Sequence, residues 1–255
     1  MAKKETYFSK HKALIHGTTG NVSNPKINIK ISEDAKAAFA EGKVLLIDKP
    51  LHWTSFDVVR KIRNSIQIKK VGHAGTLDPL ATGLLIVCTG KFTKKINDYM
   101  AQQKEYTGSI TLGATTPTYD LESEPENVKN FDAITLEMIH ATVSNFLGEI
   151  EQLPPVYSAI KKEGVPLYQL ARRGEAVTPE PRKIRIDEFE IVKVQLPVIY
   201  FRVVCSTGTY IRSLAQDFGQ ALGCGGYLSE LRRTKIGDCK VEDAIGVDQF
   251  IQSLQ

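Results

Sequence analysis

The sequence predicts an α+β fold built on a mixed sheet. Strand-like and helix-like stretches follow one another without a regular βαβ alternation. Apolar runs such as VLLI at 44–47 and LLIVC at 84–88 are strand-sized, far short of the ~20 residues that cross a bilayer. No stretch repeats another. With 255 residues, 42% hydrophobic and 24% charged, the chain has the material for a large, ordinary globular core.

Residues 1–41 read as a basic arm, loosely ordered through residue 32, with one short helix at EDAKAAFAEG closing at Gly42. The start, MAKKETYFSKHK, has no apolar h-region, so a cytoplasmic protein is expected. Residues 42–255 form the body. KVLLIDKP is a buried strand. TSFDVVRKIRNSI is a helix with Phe56, Val59, Ile62 and Ile66 as its apolar stripe and Thr54 and Asp57 in capping-box positions. A glycine-rich loop, VGHAGTLDPLATG, leads into the strand LLIVCTG. FTKKINDYM is a short helix, EYTGSITLGA an alternating strand, and TTPTYDLESEPEN a polar loop. TLEMIHATVSNFLGEI is a helix with Leu136, Ile139, Val143 and Phe146 on one face. PLYQLARRG is a short helix, and RKIRIDEFEIVKVQLP and VIYFRVVCSTG are long strands. A helix at YIRSLAQDFGQALG, a strand at YLSELRRTKIG and a helix at VDQFIQSL follow.

The net charge of +4 hides segregation: residues 120–151 carry eight acids against Lys129, while 161–185 and 202–235 are basic. A basic face suits a polyanion such as nucleic acid; the same charges also fit separate solvated faces that never come together. Cys88, Cys205, Cys224 and Cys239 lack zinc-ligand spacing and read as reduced, structural thiols. No metal and no cofactor is expected.

Asp78 is the residue that asks for chemistry. It stands between Leu77 and Pro79 in a loop whose Gly72, Gly75 and Gly83 allow close approach to a ligand, with His73 five residues upstream. One reading is an Asx-type turn. The other is an ionised carboxylate aimed as a nucleophile, a form that a nearby cation favours. STGTYIRSLAQD at 206–217 offers such a cation, Arg212, in the first turn of a helix.

The string GHAGTLDPLATGLL resembles the GHxGxLDPxAxGxL catalytic loop of the TruB family of bacterial tRNA pseudouridine 55 synthases. Further segments resemble that family in the same order over residues 42–250: KPLHWTS, KEYTGSITLGATTPTYD, PPVYSAIKKEGVPLYQLARRGE, STGTYIRSLAQDFG and YLSELRRTKIG. The resemblance implies the pseudouridine synthase fold, a mixed, largely antiparallel central sheet flanked by helices and loops. It implies isomerisation of uridine 55 in the T loop of tRNA without metal or cofactor; recognition is expected to centre on the T-arm, and a monomer is the default expectation. Asp78 matches the catalytic aspartate. Tyr106 matches the tyrosine that stacks on the flipped uracil, and Tyr210 and Arg212 the pair beside the aspartate, Arg212 as its salt-bridge partner. Leu231 is an apolar wall under the base, His73 a contact to displaced T-loop bases, and Lys49 and Pro50 packing supports. Asp120 matches the T-x-T-x-D loop, in an acidic run expected to be solvated. Two departures stand out. His52 replaces the glycine of KPxGxTS, and there is no room after the LRRT strand for a PUA-type RNA-binding domain. Two other classes compete: an RNA-binding or folding module with catalysis secondary, and a small-molecule enzyme holding a phosphate in the glycine loop. The second lacks a P-loop and a GxGxxG fingerprint.

Overall fold

A computed structural model describes residues 31–254; the arm expected over residues 1–32 falls almost wholly outside them. The chain is α+β with a mixed, largely antiparallel sheet and divides into two compact units. Among the described residues, the first unit holds 31–107, 202–207 and 230–254, the second 108–201 and 208–229. No helix among the described residues is long and apolar enough to cross a membrane.

The first unit contains β1 (Val44–Lys49), β2 (Val71–Ala74), β3 (Ala81–Thr89) and parts of β4 (Lys104–Leu112). β3 is its axis. On one side it pairs antiparallel with β1, Val44 opposite Cys88 through Lys49 opposite Gly83. Its other side is shared. β10 (Gly226–Ile236) pairs parallel at Ala81–Gly83, and β2 pairs antiparallel at Ile86–Thr89. The VGHA stretch expected as loop is therefore a strand, since it completes the buried edge of β3. Alternate residues of β3 fill two cores. Leu85 and Val87 pack with Ile47, Val59, Ile62 and Phe250, whereas Leu84, Ile86 and Cys88 pack with Ala74 and Ile236. Each fully buried aliphatic side chain stabilises by about 1.5–3 kcal/mol.

The helix Ser55–Ile66 has the expected capping box: the Asp57 N–H donates to Thr54 Oγ1 at 3.0 Å and the Thr54 N–H to Asp57 Oδ2 at 3.0 Å. Its buried stripe is Ser55, Val58, Val59, Ile62 and Ile66. Phe56, expected inside, falls beside that stripe and is 57% exposed.

Beyond β3 the strand order is β10, β4, β9 (Val198–Cys205), β8 (Arg182–Gln195) and β5 (Gly148–Gln152), and β6 (Lys161–Lys162) pairs with β7 (Val165–Pro166) in a separate hairpin. The helix expected through Ile150 stops at Val143, followed by a 3-10 turn at Ser144–Phe146. Gly148, at φ +84°, then turns the chain into β5, whose Gly148–Gln152 pair with Ile186–Arg182. Ile139 and Phe146 are buried as expected, while Leu136 is exposed. Phe146, Phe189, Phe201 and Phe218 form an aromatic cluster with ring centroids 5.4–6.3 Å apart. The helix Ile211–Ala221 approaches β10 closely at Gly219, where a Cβ would lie 2.2 Å from the Gly226 nitrogen.

Candidate active site

The Asp78 loop belongs to the first unit and is fixed by backbone contacts on both sides of the carboxylate. Ser55, 2% exposed, accepts from the Leu77 N–H at 2.8 Å and donates to the Leu77 carbonyl at 3.1 Å. The Ala81 N–H donates to the Asp78 carbonyl at 3.0 Å, and the His52 N–H to Pro79 at 2.8 Å. His52 stands where the family motif has glycine, yet it keeps a left-handed backbone, φ +65°. The turn is thus retained at a cost of about 1–2 kcal/mol. Asp78 itself is half-buried.

Two buried cations surround this loop. Lys49 is fully buried and donates to the carbonyls of Pro50 at 2.9 Å and Trp53 at 2.6 Å. Burial lowers its pKa to about 8, and the Asp78 charge is the largest influence opposing that fall. Pro50 is exposed, and its carbonyl is the one that accepts from Lys49 at 2.9 Å. Arg233, 1% exposed, donates from Nε to Leu84 O at 2.8 Å, from Nη2 to Gly75 O at 3.1 Å and from Nη1 to Thr76 O at 3.5 Å.

Tyr106 on β4 is buried at 8% exposure. Burial pushes its phenol pKa up; the Arg233 charge opposes this, while Asp78 adds to it. His73 lies on β2. Burial, then Arg233, hold its imidazole below the usual pKa, so the ring is neutral at pH 7. Leu231, half-buried on β10, sits opposite Ala81 in register, three residues beyond Asp78. The first unit thus gathers Asp78, Tyr106, Lys49, His73 and Leu231 around one strand crossing.

Tyr210 and Arg212 belong to the second unit. Gln152, 1% exposed, accepts from the Tyr210 N–H at 2.8 Å and donates to its carbonyl at 3.0 Å. The Arg182 guanidinium lies over the Tyr210 ring, 5.6 Å from its centroid. Arg212, 5% exposed, forms an ion pair with Asp120, 4% exposed, at 3.6 Å. It also donates to the carbonyls of Thr118 at 3.1 Å and Tyr157 at 2.9 Å. Asp120 is therefore a buried counter-charge, not part of a solvated run, because Thr118 and the Glu122 N–H also hold its carboxylate at 2.6 and 3.0 Å.

Sequence reasoning did not single out Ser55, Gln152 or Arg233. Arg233 carried a signal, its place in LRRT; the other two are ordinary polar residues until their partners are known. Among the described residues no group of His, Cys, Asp and Glu could hold a metal ion.

The family model described as TruB family pseudouridylate synthase, N-terminal domain, matches residues 63–211. That of the tRNA pseudouridylate synthase B C-terminal domain matches residues 212–255. The tRNA pseudouridine synthase B of Flavobacterium johnsoniae is 57% identical over 85% of this chain and 98% of that protein. The protein of the same name from Phocaeicola vulgatus is 51% identical over 83% and 93%. Among solved structures, a Cbf5-Nop10-Gar1 complex aligns with a TM-score of 0.66 at 27% identity, over 89% of this chain and 61% of that chain. An H/ACA RNP bound to a substrate RNA containing 2'-deoxyuridine aligns at 0.64 and 26%, over 89% and 60%. The chain spans about three fifths of those structures' chains. By its architecture and these matches, the chain belongs to the TruB family of pseudouridylate synthases.

Proposed function

We propose that the chain converts uridine 55 in the T loop of tRNA to pseudouridine, with Asp78 as its nucleophile. The broader activity follows from family membership: the chain is a tRNA pseudouridine synthase, an isomerase. The finer reading rests on one observation, the setting of Asp78. Its loop is pinned by Ser55, its charge acts on the buried ammonium of Lys49, and it acts on the phenol of Tyr106. A turn aspartate needs none of these.

In this reading the target uridine leaves its stack, because a carboxylate cannot reach it inside a folded loop. Tyr106 and Leu231 replace the lost stacking with an aromatic face and an apolar wall. Asp78 bonds covalently to the nucleotide while the bond from C1' to N1 breaks. The uracil turns and rejoins C1' through C5. The proton on C5 is lost, N1 gains one, and the carboxylate is released, so composition is unchanged and no oxidant or reductant is needed. His73 contacts displaced bases as a neutral ring, and Tyr210 and Arg212 keep the roles the resemblance gives them. Residues 42–255 are the catalytic body, acting as a monomer on the T-arm.

Incubation with a tRNA transcript tritiated at uridine C5 tests this. Tritium release and a single modified position at residue 55 of the transcript are expected. Asp78→Asn releases none and binds the transcript within about tenfold of wild type, because RNA affinity comes largely from phosphate contacts and stacking. Modification elsewhere, or multiple turnover by Asp78→Asn free of deamidation, overturns the reading.

A further inference from the structure

We propose that Arg233 is a positioning residue for the reaction, one buried guanidinium that ties the backbone leading to Asp78 to the crossing of β3 and β10. The proposal rests on the reading of Asp78 and Tyr106 given above.

Arg233 lies where β3 changes partners. β10 pairs with β3 as far as Arg233 opposite Gly83, and β2 takes over at Ile86 opposite Ala74. Between these, Leu84 presents a carbonyl inside the core, where Leu84 itself is fully buried. A buried acceptor needs a donor, and Arg233 Nε supplies it at 2.8 Å. The same planar group reaches Gly75 O at 3.1 Å and Thr76 O at 3.5 Å. These residues lead from β2 directly to Asp78. The guanidinium's charge also acts on the buried Tyr106 phenol, opposing the rise in its pKa that burial causes.

Burying a guanidinium against neutral carbonyls is costly, and an apolar residue of similar volume would fill a strand crossing at lower cost. The arginine is explained by what it joins. Its fork addresses three backbone acceptors at once, Leu84 on β3 and Gly75 and Thr76 in the loop. A lysine ammonium has no such planar spread. The backbone beneath is equally fixed. A Cβ on Gly83 would lie 2.3 Å from the Arg233 carbonyl oxygen, so the strands meet too closely for the side chain to relocate. With Ser55 holding Leu77 and Arg233 holding Gly75 and Thr76, three consecutive peptides before Asp78 are pinned.

The test uses Arg233→Lys, Arg233→Gln, Tyr106→Phe and the double variant Arg233→Lys/Tyr106→Phe. Single-turnover rate, transcript affinity and Tm are measured separately, and rates are scored against wild type on the same transcript. An inactive wild type counts against the functional reading, not against Arg233. Arg233→Lys is expected to bind the transcript within about threefold and lose about 100-fold in single-turnover rate, the scale of a misplaced reacting group. Its pH–rate profile should shift on the alkaline side, where displacement of the positive charge leaves the phenol harder to ionise. The double variant should be no slower than the worse single variant by more than about threefold, since linked residues are non-additive. Wild-type rates in Arg233→Lys, or losses that multiply in the double variant, overturn the proposal. So does failure of both Arg233 variants to fold while Tyr106→Phe reacts at the wild-type rate, which would leave Arg233 a folding residue only.

Discussion

Ser55 holds both polar groups of the Leu77 peptide, accepting its N–H at 2.8 Å and donating to its carbonyl at 3.1 Å. It is the first residue of the Ser55–Ile66 helix, so the position of the residue before Asp78 is inherited from a capped, rigid element. Ser55→Ala leaves two polar groups of a buried peptide without this partner, at about 1–3 kcal/mol for each group left unsatisfied. We expect a clear fall in urea stability, together with a single-turnover rate reduced by about tenfold or more. Transcript affinity should hardly change. A destabilised variant that reacts at the wild-type rate would show that the clamp serves folding alone.

Gly83 separates steric from conformational cost. It has φ +102°, and an added Cβ would stand 2.3 Å from the Arg233 carbonyl oxygen. Gly174 has φ +75° with open space around it. Gly174→Ala should therefore cost only the left-handed backbone penalty, about 1–2 kcal/mol. Gly83→Ala should exceed about 4 kcal/mol, because backbone must move. Similar Tm values for the two variants would mean that β3 and β10 can part without loss.

What the sequence revealed and what it hid divide along physical lines. Asp78 was legible because glycine and proline punctuate its loop, and Arg212 because a strand-to-helix junction precedes it. The long strands β8, β9 and β10 and the Thr54 cap follow from local patterns, and were found where expected. Ser55 and Gln152 act on partners 22 and 58 positions away, a separation no local pattern encodes. Arg233 looks like an outward-facing strand charge until its register opposite Gly83 is known. β11 (Cys239–Lys240) and β12 (Ile245–Gly246) have two residues each, too few to display a period. Phe56 was misplaced because helical spacing alone does not say where the centre of a buried stripe lies.

Lys49 makes opposite demands on stability and on activity. Its pKa falls from 10.5 to about 8, chiefly by burial, with Asp78, Arg233, Asp57 and Asp48 also acting on it. Between those values the unfolded chain holds more protons than the folded one, so this group makes stability rise with pH across that window. The slope is at most about 1.4 kcal/mol per pH unit. Lys49→Met removes this contribution. The wild-type minus variant difference in unfolding free energy should be constant below pH 7 and grow from pH 8 to 10. Turnover runs the other way. The wild type should lose rate above pH 8 as the ammonium beside Asp78 discharges, and Lys49→Met should be slow throughout. A flat stability difference from pH 7 to 10 would contradict the buried ammonium.

The pair of Arg212 and Asp120 yields the sharpest separation of folding from chemistry. The two side chains are 5% and 4% exposed and lie 3.6 Å apart. Arg212 also carries the carbonyls of Thr118 and Tyr157, so it ties the 116–123 loop to a segment about forty residues away in sequence. Asp120→Asn keeps the shape and an oxygen to accept from Thr118 and the Glu122 N–H, but removes a negative charge from a buried cation. Breaking such a pair from one side costs about 3–5 kcal/mol. The double variant Asp120→Asn/Arg212→Met removes the stranded charge as well. It should regain most of the stability lost by Asp120→Asn, because an apolar replacement of a buried pair is often neutral. It should not regain turnover if Arg212 acts in the reaction. Urea unfolding and single-turnover rates on the three proteins decide the matter. Recovery of both together would reduce the pair to a folding device, whereas recovery of stability alone assigns Arg212 to the chemistry.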